Sequence, residues 1–207
     1  LPIFLVVELD HERGVGRGLR LSVHPRDVQR GDLDRARPVL ETLVSALAPH
    51  VDHWLAETLS SLAEARLAAS LTAPTGKPIW LSFTLEDEKP TPEPALRSGE
   101  SVAEAARLAR ELGAAALLFN CSQPEVMEAA VRTAQAELGP DSAIRIGVYA
   151  NAFPPMAADA EANAGLSPIR ADLTPEGYGR FAASLRIARD DDGAELPFLN
   201  YDGLQPM

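Results

Sequence analysis

Four stretches of strand length, each ending in polar residues and followed by helical spacing, constrain the fold of this chain most. They cover residues 51–58, 78–84, 114–119 and 144–151, and they end near Glu57, Thr84, Asn120 and Asn151. The ends recur at roughly thirty-residue intervals, the length of one strand-plus-helix unit. Repeated units of this kind favour an α/β fold with a parallel sheet covered by helices. Periodicity alone leaves open whether that sheet is a (β/α)8 barrel or an open doubly wound sheet.

The sequence also predicts where the helices begin. Three S-x-x-E patterns, starting at Ser61, Ser101 and Ser122, have the spacing of a capping box, and Thr174-Pro175 has an N-cap residue followed by proline. Apolar residues at helical spacing follow each of these sites. The predicted helices cover 34–47, 61–69, 101–112, 124–138 and 174–185.

The chemistry is concentrated after the third of these strands. The apolar run Ala114–Phe119 ends abruptly in Asn120-Cys121-Ser122, which contains the only cysteine of the chain. A strand that precedes a helix places these residues at its carboxyl end, the edge at which α/β folds bind their ligands.

The segment Asn120-Cys121-Ser122-x-Pro124-Glu125 resembles the first zinc-ligand motif of the homocysteine S-methyltransferases. That family includes the betaine–homocysteine and S-methylmethionine–homocysteine enzymes. Glu57-Thr58, Trp80-x-Ser82-Phe83-Thr84 and Val148-Tyr149-x-Asn151 resemble further strand ends of the same family. The resemblance implies a TIM barrel. A complete barrel takes about 250 residues, so we expect an incomplete one in this chain.

The resemblance also implies roles for particular residues. Zinc would bind the homocysteine sulfur as a thiolate, which takes a methyl group from an onium donor and gives methionine. Cys121 would be a zinc ligand, and Glu57, with Asp10 after the predicted strand 3–9, would hold the substrate amino group. For Glu57 a solvated carboxylate is the alternative, and for Asp10 a surface turn. The remaining expected substrate-binding residues are Thr58, Ser82, Asn120 and Tyr149.

The zinc site is the point at which this chain departs from the family. The family supplies two further thiolates from a Gly-Gly-Cys-Cys segment at the last strand, whereas residues 190–207 here contain no cysteine. Catalytic zinc takes three protein ligands and keeps one open position. Histidine is a poor substitute, because His50 and His53 come before or early in a strand, at the end opposite Cys121.

Three interpretations of Cys121 therefore stay open. The chain is a methyltransferase whose other thiolates lie outside these residues, or it is a non-catalytic barrel relative that binds a small amino-acid-like ligand without metal. In the third, Cys121 is a small buried hydrophobe, as free cysteines often are. The sequence does not identify the methyl donor.

Composition limits the remaining possibilities. The formal charge of −11 argues against nucleic-acid binding, which needs a basic face. The sequence contains no apolar run near the roughly 20 residues of a membrane-spanning helix, and its single cysteine gives no sign of a secretory compartment, so we expect a cytoplasmic protein. We expect one domain over residues 1–207, with 185–207 as an irregular tail.

Overall fold

The structure is a computed structural model and describes residues 4–7, 19–22, 33–155 and 169–187. It is an α/β arrangement in which one sheet carries helices between its strands. The described strands are β1 (Phe4–Val7), β2 (Leu19–Ser22), β3 (Trp54–Leu59), β4 (Ile79–Phe83), β5 (Ala116–Asn120) and β6 (Arg145–Tyr149). The described helices are α1 (Leu33–Leu47), α2 (Leu62–Thr72), α3 (Val102–Glu111), α4 (Met127–Leu138) and α5 (Pro175–Ile187).

The sheet has the order β2-β1-β3-β4-β5-β6, and β3 to β6 are parallel neighbours. All four strands predicted from the recurring pattern are present. Because they are parallel and adjacent, their carboxyl ends meet along one edge of the sheet. We call this edge, with Glu57, Thr58, Ser82, Asn120, Cys121 and Tyr149, the carboxyl edge.

The α/β class with a parallel sheet is confirmed, and the described strands do not close on themselves, which is consistent with an incomplete barrel. One strand differs from the arrangement in a barrel. β1 is antiparallel to both β2 and β3, with Phe4 opposite Glu57 and Val6 opposite Leu55. β1 therefore leads away from the carboxyl edge. An antiparallel pair, unlike a parallel one, needs no helical crossover between its strands.

Apolar packing fixes the position of the carboxyl edge. All five residues of β5 are buried, as expected for a parallel strand covered on both faces. Trp54, Phe83 and Phe119 are fully buried in a core that also contains Leu108 of α3 and Met127 of α4. A core of interdigitating side chains resists small shifts, so the polar strand ends are held on a rigid base.

Two of the three predicted capping boxes are present. Ser61 with Glu64 begins α2, and Ser101 with Glu104 begins α3, each with both reciprocal hydrogen bonds. Thr174 likewise caps α5, because its hydroxyl accepts a hydrogen bond from the Gly177 backbone N–H at 3.1 Å.

The third box, predicted at Ser122 and Glu125, is wrong. Ser122 is fully buried, and its hydroxyl accepts a hydrogen bond from the Leu85 backbone N–H at 2.8 Å. Pro124–Val126 then forms a 3₁₀ turn before α4 begins at Met127. The Ser122 hydroxyl thus satisfies the buried backbone N–H of Leu85, which follows β4 and lies 37 residues earlier in the chain. A local sequence pattern does not reveal a contact between such distant residues.

Several expectations fall outside the described residues. They concern Asp10 and the tail beyond residue 187; residues 185–187 are the last residues of α5. No helix within the described ranges is long and apolar enough to cross a membrane.

Candidate functional site

The carboxyl edge brings together five of the six predicted substrate-binding residues and the predicted zinc ligand. Glu57 and Thr58 come from β3, Ser82 from β4, Asn120 from the end of β5 and Tyr149 from β6, and Cys121 directly follows β5. They are far apart in the sequence, and hydrogen bonds between side chains join them in one continuous set. The sixth residue, Asp10, lies outside the described residues.

At one end of this set two hydrogen-bond donors face the sulfur of Cys121. The Asn120 side-chain amide nitrogen lies 3.2 Å from Sγ, and the Thr58 hydroxyl oxygen lies 3.7 Å from it. The same amide nitrogen donates to the Thr58 hydroxyl at 2.9 Å. Donors of this kind favour an anionic sulfur, because hydrogen bonds to the charged form stabilise it.

At the other end the phenol of Tyr149 connects two strands. Its oxygen lies 3.0 Å from a carboxylate oxygen of Glu57 and 2.8 Å from the hydroxyl oxygen of Ser82. Ser82 in turn donates to the Asn120 carbonyl oxygen at 2.8 Å. Burial, followed by the negative charge of Glu57, raises the pKa of Tyr149 far above its usual value, so the phenol keeps its proton.

The backbone is strained at Cys121 and at Thr58, whose hydroxyl faces the sulfur of Cys121. Thr58 and Cys121 have φ angles of 62° and 49°, in the left-handed region that β-branched and other non-glycine residues rarely adopt. Such conformations cost on the order of 1–3 kcal/mol each and occur where the surrounding structure imposes them, commonly at functional sites. Cys121 is exposed to solvent. The interpretation of this cysteine as a small buried hydrophobe is therefore wrong.

A buried ion pair holds the loop that carries Cys121. Asp87 is 2% exposed and pairs with Arg97, which is 8% exposed, at 3.3 Å. The second carboxylate oxygen of Asp87 accepts a hydrogen bond from the Gln123 backbone N–H at 3.0 Å. Breaking such a pair is costly, because it leaves one charge buried alone. The Asp87 pair thus fixes the chain two residues after Cys121.

A second cluster contacts the same loop from the chain that precedes α5. Arg170 donates to the Gln123 side chain at 2.6 Å and forms two hydrogen bonds with Glu125. Burial acts to raise the pKa of Glu125, but the bonds from Arg170 outweigh it and hold the pKa below its usual value. Tyr178 of α5 also donates to the Ala150 carbonyl at 2.7 Å.

Sequence reasoning did not find Asp87, Arg97 or Arg170. The long proline-rich loop after Thr84 gave no periodic signal, and nothing local indicates that Asp87 meets Arg97 across ten residues. An isolated charged pair in an irregular loop is usually a solvated surface feature. The pair of Asp87 and Arg97 is structural because both side chains are buried. Their burial depends on the fold, so the local sequence does not predict it.

The described residues do not by themselves fit a catalytic zinc ion. Three protein ligands are needed, and no three His, Cys, Asp or Glu side chains of residues 33–155 and 169–187 are grouped closely enough to hold a metal. His50 ends a 3₁₀ turn before β3, and His53 precedes β3 and stacks on Trp80 with ring centroids 4.7 Å apart. Both lie at the edge opposite Cys121, as predicted.

The chain is similar to known proteins of one family. The family profile described as Homocysteine S-methyltransferase matches residues 27–196. Among solved structures, the metallated form of the homocysteine methyltransferase MmuM from Escherichia coli is 26% identical, with a TM-score of 0.45 over 55% of this chain and 39% of that one. Its oxidized and apo forms are each 25% identical, with the same score and 38% and 43% of their chains covered. No curated protein matches the chain.

Proposed function

Because the chain belongs to the homocysteine S-methyltransferase family, we propose that its carboxyl edge binds homocysteine for methyl transfer to the substrate thiol. The chain spans about two fifths of the E. coli enzymes that it matches, so activity, substrates and partners are part of this proposal. A cytoplasmic location agrees with small-molecule chemistry of this kind and is proposed with it.

The observation that carries the proposal is the single hydrogen-bonded set that joins Glu57 to Cys121. A half-buried carboxylate at one end is suited to a substrate ammonium group, and a thiol with two facing donors at the other end is suited to sulfur chemistry. Homocysteine carries both an amino group and a thiol, separated by a short aliphatic chain. Asn120, Ser82 and Tyr149 lie between the two ends and would line the pocket.

The reaction requires few steps from the protein. The homocysteine thiol releases its proton to solvent, and the resulting thiolate attacks the methyl carbon of the donor's onium group. The bond between that carbon and the onium sulfur or nitrogen breaks, so the leaving atom keeps the electron pair and loses its positive charge. Binding at Glu57 would hold the amino group, so that the sulfur and methyl carbon meet in one geometry; such orientation accounts for much of the rate of bimolecular reactions. S-methylmethionine, S-adenosylmethionine and betaine are the donors to test.

In this family zinc, when bound, stabilises the thiolate. Cys121 is the one thiolate that this chain offers it, and we propose that zinc in an active enzyme takes its other ligands from outside the described residues. A second function follows from the same shortage of ligands: a metal-free relative that binds a small amino-acid-like molecule. The lack of a three-residue metal group in the described ranges favours this alternative.

Binding and metal content test the two proposals together. We expect L-homocysteine to bind with an affinity that Glu57→Gln weakens about ten- to a hundredfold, since a hydrogen bond to a charged group contributes about 1.5–3 kcal/mol. Glu93→Gln, at an exposed loop carboxylate, is the matched control. Stoichiometric zinc that Cys121→Ser removes, together with methionine production, supports the enzyme. Homocysteine binding without zinc or turnover supports the metal-free relative, and absence of binding contradicts both.

A further inference from the structure

Three side-chain contacts join Glu57 to Asn120 along the carboxyl edge: Glu57 with Tyr149, Tyr149 with Ser82, and Ser82 with Asn120. The two hydroxyl groups in these contacts supply only two hydrogens. The phenol of Tyr149 has one hydrogen and two acceptors, Glu57 at 3.0 Å and Ser82 at 2.8 Å. The hydroxyl of Ser82 also has one hydrogen, and its oxygen lies 2.8 Å from the Asn120 side-chain carbonyl oxygen. Each hydroxyl must therefore choose the neighbour to which it donates.

The choice made by Tyr149 determines the orientation of the Asn120 amide. When Tyr149 donates to Ser82, Ser82 has to donate onward to the Asn120 carbonyl oxygen, and the amide nitrogen is held against Thr58 and Cys121. When Tyr149 donates to Glu57, the Ser82 hydrogen can turn to the phenol oxygen. The Asn120 amide is then free to turn over and present its nitrogen to Ser82, because amide orientation follows the surrounding hydrogen bonds.

Electrostatics at Glu57 decides between these two arrangements. An ionised carboxylate is the stronger acceptor, so it competes well for the Tyr149 hydrogen when the site is empty. An ammonium group bound to Glu57 neutralises that charge and weakens the carboxylate as an acceptor for Tyr149. The high pKa of Tyr149, raised by its burial and by Glu57, ensures that the phenol has its one hydrogen in both arrangements.

We propose that Tyr149 is a positioning residue that couples ammonium binding at Glu57 to the orientation of the Asn120 amide at Cys121. An amino group at one end of the site thus turns the Asn120 amide nitrogen toward the sulfur at the other end, which the Thr58 hydroxyl also faces. The same contacts work in reverse, since coupling between two sites is reciprocal. The proposal rests on the proposed function, because it takes the amino group of homocysteine as the ligand of Glu57.

The test uses L-2-aminobutyrate, which is homocysteine without its sulfur, so that the probe does not occupy the sulfur position. The chain contains four asparagines, and selective ¹⁵N labelling gives four side-chain NH₂ signals, of which that of Asn120 is assigned by substituting the other three. Binding is measured in parallel by calorimetry. We expect the probe to shift the Asn120 signal and to slow exchange of its hydrogens with water. Butyrate, which lacks the amino group, should do neither.

Two variants interrupt the coupling at different points. Tyr149→Phe removes the branching hydroxyl, and Ser82→Ala removes the link to Asn120 while the contact between Tyr149 and Glu57 remains. We expect each variant, at probe concentrations that calorimetry shows to saturate it, to lose the Asn120 response. Tyr178→Phe is the matched control: it removes a phenol that bonds the Ala150 carbonyl next to β6 but lies outside the coupled set, so the response should persist.

The outcomes separate the two proposals. If the probe binds and Asn120 responds equally in the wild type, Tyr149→Phe and Ser82→Ala, the coupling does not run through Tyr149 and is refuted. If the probe binds the wild type but Asn120 does not respond, the coupling is refuted while the amino-acid site stands. If neither the probe nor L-homocysteine binds the wild type, the proposed function fails and this proposal fails with it.

Discussion

Strain at Thr58 yields a prediction that separates the stability of the protein from its binding of the ligand. Thr58 is 4% exposed, carries a branched side chain and has a φ angle of 62°. The left-handed conformation costs an L-residue roughly 1–2 kcal/mol, and glycine does not incur this cost. Thr58→Ala and Thr58→Gly both remove the hydroxyl that faces Cys121, so the difference between the two variants isolates the backbone term.

We expect Thr58→Gly to be about 1–2 kcal/mol more stable than Thr58→Ala. The measurement is the free energy of unfolding in urea, followed by far-ultraviolet circular dichroism and by tryptophan fluorescence. L-homocysteine binding should be weakened in both variants, since both lose a donor to the sulfur site. The glycine variant should thus bind L-homocysteine no better than the alanine variant, although it is the more stable of the two.

Thr72 provides the control, because it is equally buried and also hydrogen-bonded but ends a regular helix with a φ angle of −87°. There glycine is expected to be the worse residue, by up to about 1 kcal/mol relative to alanine. The order of stabilities should therefore invert between the two positions. An alanine variant at Thr58 that is as stable as the glycine variant, or more so, would show that the backbone is not strained.

The remaining predictions concern the scaffold. A Cβ on Gly177 would lie 2.3 Å from a backbone oxygen of the preceding loop, whereas one on Gly179 of the same helix meets nothing within 4 Å; Gly177→Ala should lower the thermal midpoint and Gly179→Ala should not. Burial raises the pKa of Glu64, while the bond from a backbone N–H lowers that of Glu104. Stability from Glu64 is present below the usual pKa of about 4.3 and is lost as pH rises through the raised value; stability from Glu104 is present above about 4.3 and is lost as pH falls through the lowered value. The unfolding free energies of Glu64→Gln and Glu104→Gln, each relative to the wild type, should therefore slope oppositely with pH, and parallel slopes would contradict this reasoning. Asp87→Ala should destabilise the protein by about 3–5 kcal/mol by urea unfolding, because it leaves a buried guanidinium unpaired; a change below 1 kcal/mol would show that water reaches the pair.

Local sequence signals predicted the individual elements well. β3 to β6 each fall within or next to the predicted strands, and both confirmed capping boxes begin helices where their spacing indicated. Signals of this kind succeed because the interactions that set them, such as Ser61 with Glu64, lie within one helical turn. The antiparallel orientation of β1 was not predicted, because strand direction is decided by pairing with residues more than forty positions away.

The candidate site was predicted as a set of residues but not as an arrangement. Glu57, Ser82, Asn120 and Tyr149 were identified from strand ends and from resemblance to a family, and parallel neighbours place such ends on one edge. The hydrogens shared among them depend on ångström-level distances that no sequence pattern contains. Ser122 shows the limit most clearly, since its S-x-x-E spacing is real while its hydroxyl serves another loop.

The sequence by itself determined that apolar runs alternate with capped helices in βα units, and that the polar ends of these units carry one thiol, at Cys121, and one carboxylate, at Glu57. These are consequences of short-range sterics, hydrogen bonding and burial, which a few neighbouring residues decide. Tertiary structure alone decided that Thr58 and Cys121 are held in left-handed conformations, that Asp87 and Arg97 are buried together, and that Tyr149 joins Glu57 to Ser82. Each of these requires segments distant in the chain to be packed at fixed separations, and that packing exists only when the whole sheet has formed.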